Sequence, residues 1–128
     1  MKLLIGYAIT LLLFSSCDFT TVGEIHNRSG EDIEIVIFPF SNSDYSILKS
    51  DKLNLTKWDT VNLKGYFLLL NNTHAPVASG INSFAPEELV FNYIEIRKSS
   101  DTSIFETQQA IHNQFKETKN HTYQWIIE

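Results

Sequence analysis

The sequence has one cysteine, Cys17, and only five glycines and three prolines among its 128 residues. A single cysteine cannot form an intramolecular disulfide or supply a multi-cysteine metal cluster. No two glycines are adjacent, and none lie in a glycine-rich loop of the kind that binds phosphate. No apolar run reaches the roughly 20 residues that a membrane-spanning helix needs. These absences exclude a disulfide-rich fold, a P-loop protein and a bundle of membrane spans.

Basic residues are also scarce, because ten lysines and arginines stand against fifteen acidic residues and give a net charge of −5. A protein that binds nucleic acid needs a clustered positive surface. Here Arg28, Arg97 and Lys98 are scattered among carboxylates. We therefore expect no nucleic-acid partner, and the length predicts one modest domain rather than a multidomain enzyme.

Residues 1–16 differ in composition from the rest of the chain. They contain one basic residue, an apolar stretch and then two serines. This order is typical of a secretory signal, and the apolar stretch is too short to remain as a membrane-spanning helix. We expect residues 1–16 to be a signal peptide and residues 17–128 to form a single β-rich domain, in which residues 17–24 are a tether.

Cys17 follows directly after this signal. The segment Phe14-Ser15-Ser16-Cys17 resembles the lipobox of bacterial lipoproteins, which usually has an aliphatic residue at the position of Phe14. The resemblance implies that Cys17 is acylated on its sulfur with fatty acids such as palmitate and becomes the new amino terminus. Two or more acyl chains make a stable membrane anchor. The alternatives are an ordinary signal cut near Ser16 and an uncleaved anchor.

Two further stretches, residues 25–29 and 123–127, resemble the small envelope lipoproteins of the Bacteroides group, a family with no established activity to transfer. That resemblance favours the outer membrane. Asp18 instead resembles the signal that retains lipoproteins of enteric bacteria in the inner membrane. We expect a lipid-anchored protein of the bacterial cell envelope, with the outer membrane preferred over the inner.

The rest of the chain is rich in β-branched and aromatic residues, which pack well on a pleated surface. Alternating polarity and turn residues predict strands over 31–38, 53–57, 61–70, 91–97, 102–106 and 123–127. A further strand over 19–26 is expected to form a hairpin with the first of these through residues 27–30. Residues 75–83 are expected to be irregular, and residues 84–89 to make one helical turn. The predicted fold is mainly β, an antiparallel β-sandwich or small barrel with one short helix near the C-terminus.

Two interpretations of residues 103–106 are open. Ser103 and Glu106 fit a capping box, which starts a helix. The four-residue turn 98–101 between two β-rich runs instead indicates a hairpin, followed by a helix from about Thr107. We prefer the hairpin.

The sequence contains no recognisable set of catalytic residues. Its four histidines are expected to face solvent, because they lie in polar surroundings near predicted turns or helix ends: His26, His74, His112 and His121. None have the close spacing of zinc ligands. The G-x-S-x-G turn of serine hydrolases is absent. We therefore expect no enzyme, no metal and no cofactor.

Three residues remain as candidates for binding or modification. Tyr45 and Trp58 lie in polar segments, where an exposed ring stacks on a sugar or anchors a partner; the alternative is that they belong to the core. Asp59-Thr60-Val61 resembles the short O-glycosylation motif of Bacteroides-group envelope proteins, although three residues also match by chance. Thr60 is therefore a candidate glycosylation site.

The function expected from these features is that of a non-enzymatic, lipid-anchored module that binds a protein or a glycan in the envelope. One alternative is an inhibitor or immunity protein against a toxin or lysozyme, since an acidic surface suits a basic target. A second is a hydrolase whose residues converge only in three dimensions. A third is a structural subunit that pairs through an exposed strand edge.

Overall fold

The structure, a computed structural model, describes residues 19–41, 43–44, 48–81, 83–119 and 121–128. Its strands are β1 (Thr20–Asn27), β2 (Ile33–Phe38), β3 (Leu53–Asp59), β4 (Lys64–Leu69), β5 (His74–Ile81), β6 (Tyr93–Arg97), β7 (Thr102–Phe105), β8 (Lys116–Glu117) and β9 (Thr122–Ile127). A 3₁₀ turn (Pro86–Glu88) and a short helix α1 (Gln108–His112) complete these elements. Within the described ranges, no helix has the length and apolar character needed to cross a membrane.

The strands form two sheets. The first has the order β5-β1-β9-β8 and the second the order β3-β4-β2-β6-β7. Neighbouring strands are antiparallel except β1 and β9, which are parallel. Buried side chains from both sheets, among them Ile25, Phe67 and Trp125, form one core. The prediction of a mainly β, sandwich-like fold with a short helix near the C-terminus is confirmed.

The central strand β2 follows the alternation of its sequence. Ile33, Ile35 and Ile37 are fully buried and face the core, whereas Glu34 between them is partly exposed. Period-2 alternation places such residues on opposite faces of a strand. β2 pairs with β4 on one side and β6 on the other, which makes it the middle of the second sheet.

The predicted hairpin between β1 and β2 is wrong, because the two strands belong to different sheets. The chain crosses from one sheet to the other at the turn that follows Asn27. The Asn27 side chain is fully buried, and its Nδ2 donates to the carbonyls of Glu31 at 2.8 Å and Leu69 at 3.0 Å. These bonds replace the strand-to-strand pairing that a two-stranded hairpin would have made.

Residues 75–81, part of the stretch 75–83 expected to be irregular, form most of β5. This stretch is rich in alanine, serine and glycine, which have little preference for strands. It pairs with β1 over residues 20–26, and a bulge at Gly23/Glu24 brings Glu24 opposite Pro76. Tertiary pairing therefore overrides local preference here.

Two boundaries also differ from expectation. β1 begins at Thr20, so residues 20–24 belong to a sheet rather than to the expected tether over 17–24. β4 begins at Lys64 rather than 61, because residues 60–63 form the loop between β3 and β4. The hairpin at residues 98–101 is confirmed by the pairing of β6 with β7.

The order and direction of the strands define two ends of the sandwich. We call the end where β1 begins the proximal end; it also holds the 60–63 loop and the end of β2. The opposite end, where β1 stops, is the distal end. It is formed by the turns 28–32, 70–73 and 98–101.

Candidate functional site

The distal end is a set of polar turns held in place by side-chain hydrogen bonds. Asn27 lies at its centre, and its Oδ1 accepts from the backbone N of Ser29 at 3.1 Å and from the Ser29 hydroxyl at 2.7 Å. Together with its two donated bonds, this satisfies the buried amide at both ends. Buried polar groups with full hydrogen bonding fix the local structure.

Two carboxylates join neighbouring turns. Asp32 Oδ1 accepts from the backbone N of Asn71 at 2.8 Å. Glu31 accepts from the backbone N of Ser99 at 2.5 Å and from the Ser99 hydroxyl at 2.7 Å. These two donated bonds from Ser99 hold the pKa of the Glu31 carboxyl below its ordinary value. All three turns of the distal end are thus connected to one another.

Two imidazoles and one carboxylate lie beside these turns, where β1 pairs with β5. His26 and His74 are opposite each other in the sheet, and their rings stack with centroids 4.6 Å apart. Glu24 lies two residues before His26 on the same face of β1. One Glu24 carboxylate oxygen is 3.6 Å from Nε2 of His26, and the other is 3.5 Å from Nε2 of His74.

The two histidines differ in their surroundings. The His26 side chain is only 13% exposed, whereas that of His74 is 57% exposed. Burial lowers the pKa of His26 below its ordinary value, nearby His74 lowers it further, and Glu24 opposes both effects. The buried Nε2 of His26 has no hydrogen-bond partner within the described part of the chain. The stacked pair therefore combines a largely buried imidazole, whose pKa is lowered, with an accessible one.

Two shallow depressions adjoin this cluster. The first, of about 380 Å³, is lined by His26, Asn27, Arg28, Asn72, Thr73 and His74. The second, of about 510 Å³, shares Asn72, Thr73 and His74 and extends to Ser50, Asp51 and Lys52. Their linings combine amide, hydroxyl, imidazole and charged groups of both signs. Such a surface suits a polar ligand with many hydrogen-bonding groups.

The imidazole and carboxylate groups of the cluster can exchange protons and form hydrogen bonds. Among the residues that the structure describes, no group of three or more His, Cys, Asp or Glu side chains is arranged to hold a metal ion. In the same residues, no hydrogen bond joins a serine hydroxyl to His26 or His74. The cluster thus brings two imidazoles to one carboxylate.

A second polar cluster lies on the outer face of the second sheet. Arg97 forms ion pairs with Glu34 and Glu95, each at 2.7 Å, and its guanidinium lies over the Tyr66 ring. Tyr93 donates its hydroxyl proton to Glu95, and this bond raises the pKa of Tyr93 to about 12. The charged and hydrogen-bonding groups of this cluster pair with one another across neighbouring strands. The cluster therefore stabilises the sheet.

The structure describes two of the four residues singled out in the sequence. Cys17 and Tyr45 lie outside the described residues. Trp58 is half-buried and packs edge-on against Phe40, with ring centroids 5.6 Å apart, as the core alternative expected. Thr60 is exposed at the start of the 60–63 loop. Its glycosylation stays a prediction.

The expectation that all four histidines face solvent is wrong. His26 is largely buried, and His112 has its Nε2 2.7 Å from the Phe84 carbonyl oxygen. The pairing of His26 with His74 was missed because β5 was not predicted. The one available signal was the spacing of Glu24 and His26, which puts both side chains on the same face of a strand.

Comparison with known proteins adds no family to this description. No protein-family model matches the chain, and neither curated proteins nor solved structures contain a match. A functional assignment therefore rests on the residues and geometry of the chain itself.

Proposed function

We propose that this chain is a lipid-anchored, non-enzymatic binding module of the bacterial cell envelope. Its distal end recognises a polar ligand, either a glycan or a polar segment of a protein. The observation that carries the proposal is the contrast between the two ends of the sandwich. The distal end holds fixed polar turns and depressions, whereas β1 begins at the proximal end, three residues after Cys17.

The lipid anchor is supported by the signal-like sequence before Cys17 and by the resemblance of residues 14–17 to a lipobox. In the native bacterium, Cys17→Ser should lose incorporation of labelled palmitate and leave the membrane fraction. Asn54→Ala, a change at an exposed position of β3, is the matched control and should behave as the wild type. Unchanged fractionation of Cys17→Ser would refute the anchor. Separating inner from outer membranes tests the preferred location.

Recognition at the distal end is supported by the chemistry of its lining. Asp51, Lys52 and Arg28 provide charges of both signs, and the exposed Asn72 amide provides donors and acceptors. The His74 ring offers a partly exposed flat face. The turns that carry Arg28 and Asn72 are held by hydrogen bonds that the backbone N of Ser29 and of Asn71 donates to the Asn27 and Asp32 side chains. A backbone that is ordered before the ligand binds lowers the entropic cost of recognition.

Photo-crosslinking in intact cells tests this role. A crosslinking residue is placed at Asn72 in the distal end or, as the matched control, at Asn113, the exposed residue that ends α1. We expect a crosslinked product from position 72 only, and its carbohydrate stain or mass spectrum distinguishes a glycan from a protein. Equal products from both positions, or none from position 72, would contradict a binding site at the distal end.

The same experiment separates the alternatives. A basic toxin or lysozyme captured at position 72 would indicate an inhibitor or immunity protein. The edge strand β7 exposes Ile104 at 52%, and a crosslink from Ile104 to a second strand would indicate a structural subunit. The observation that supports the alternative of a hydrolase is the position of Glu24 between two imidazoles. Cleavage of the captured ligand that Glu24→Gln abolishes, with binding retained, would establish it.

A further inference from the structure

Large apolar side chains are exposed mainly at the proximal end. Of the six that are exposed in the described residues, four lie there: Phe19 (39%), Phe38 (36%), Val61 (88%) and Leu63 (46%). The other two lie away from this group, Ile104 on β7 and Ile126 on β9. Clustering of exposed apolar side chains at one end of a small domain marks an interaction surface.

The loop that carries Val61 and Leu63 has a defined conformation. Asp59 Oδ1 accepts from the backbone N of both Val61 and Asn62 at 3.0 Å, and its Oδ2 accepts from the Asn62 side chain at 2.8 Å. The backbone N of Phe40 donates to the Leu63 carbonyl at 2.8 Å. Val61 and Leu63 are therefore exposed on an ordered loop. The Asp59 carboxylate, the nearby acidic group, accepts hydrogen bonds from donors within that loop.

Leu63 is an unusual residue for its place in this loop. Its φ is 55°, in the left-handed region that glycine and asparagine adopt at lower cost than leucine. A leucine here costs more than asparagine or glycine would. Leu63 is also 46% exposed, so part of its apolar side chain is available for contact outside the molecule.

The short connection between Cys17 and β1 limits the distance between the proximal end and whatever holds Cys17. Three residues of extended chain span at most about 10 Å. The headgroup region on each side of a bilayer is roughly 5–8 Å thick. If Cys17 carries acyl chains, as proposed above, the start of β1 must lie at the lipid surface.

We propose that the proximal end docks on the membrane that holds the anchor. Val61 and Leu63, with Phe19 and Phe38, enter the interfacial region of the lipid, and the distal end then faces away from the membrane. This inference rests on the proposed lipid anchor. It adds a second contact with the membrane and a fixed orientation of the binding site.

Lipid quenching of a fluorescent label tests the orientation. The full acylated protein is purified from membranes with one added cysteine, Val61→Cys at the proximal end or Asn72→Cys at the distal end. Acylation blocks Cys17, the only native cysteine, so the label goes to the added thiol. Each protein is reconstituted into phospholipid vesicles that contain nitroxide-labelled acyl chains.

We expect strong quenching of the label at position 61 and little at position 72. Adding Leu63→Asp to Val61→Cys should reduce that quenching; circular dichroism confirms the fold, which these exposed residues should not affect. Equal quenching at both positions, or none at position 61 of an acylated, vesicle-bound protein, would overturn the docking proposal and leave the anchor intact. A protein without acyl chains would overturn the anchor and the docking proposal together.

The mass of the intact protein provides an independent check. A glycan on Thr60 would place a bulky polar group beside Val61 and keep the loop out of the lipid interface. The docking proposal requires a mass that corresponds to the acylated chain without a glycan at Thr60. A mass increase that Thr60→Ala removes would overturn the docking proposal and confirm the predicted glycosylation site.

Discussion

Asn27 is the single residue on which the conformation of the distal end depends most. Its side chain donates to two backbone carbonyls and accepts from Ser29 while fully buried. Asn27→Ala leaves these partners unpaired, so we expect it to lower the free energy of unfolding by about 2–3 kcal/mol. Urea denaturation measures the change. Asn54→Ala, at an exposed position, should cost less than about 0.5 kcal/mol, and an equal loss in both variants would contradict the role of Asn27.

His26 should make the stability of the protein depend on pH. Burial, then His74, lowers its pKa below the ordinary value of 6.5, so the unfolded chain binds a proton at a higher pH than the folded protein does. The free energy of unfolding must therefore decrease as the pH falls through 6.5 towards the lower folded pKa. His74→Gln removes the second cause and should reduce that decrease.

Urea denaturation between about pH 8 and pH 5, the range in which histidine titrates, measures this dependence. His121→Gln is the matched control, because His121 is exposed and lies at the opposite end of the sandwich. It should retain the decrease of the wild type. An unchanged pH dependence in His74→Gln would show that the stacked pair does not affect the proton affinity of His26.

Among the structural elements, the 60–63 loop is less stable than it would be without the left-handed conformation of Leu63, the leucine that it exposes. Leu63→Asn keeps the left-handed conformation and lowers its cost, so we expect the free energy of unfolding to rise by up to about 1 kcal/mol. Thermal denaturation measures the gain. Val61→Asn changes the same loop at a residue without a positive φ and should give no gain. A destabilised Leu63→Asn protein would contradict the argument from strain.

The sequence predicts individual strands better than their partners. β2 and β9 follow from alternation, since each places a run of apolar residues on one face. β5 does not, because its alanines, serine and glycine carry no strand signal and only pairing with β1 makes it a strand. The parallel pairing of β1 with β9 joins opposite ends of the chain, and local periodicity contains no information about it.

On the scale of the whole molecule, the candidate site was less predictable than the fold. The His26–His74 pair and the polar turns come from segments that are far apart in sequence and meet only when both sheets form. The apolar group at the proximal end likewise joins residues from three separate segments. The composition of the sequence was enough to predict the acidic charge and the strand-rich domain. Which polar turns and which apolar side chains share an end of the sandwich depends instead on the directions of the strands.

The position of β1 leads to a last prediction, about where the folded domain begins. A chain that starts at Phe19 retains all of β1, so its free energy of unfolding should match that of Cys17→Ser within about 0.5 kcal/mol. A chain that starts at Ile25, as the expected tether over 17–24 would allow, loses most of a central strand and its pairing with both β5 and β9. We expect this shorter chain to be unfolded by circular dichroism. Equal stability of the two truncated chains would mean that residues 20–24 are a tether after all.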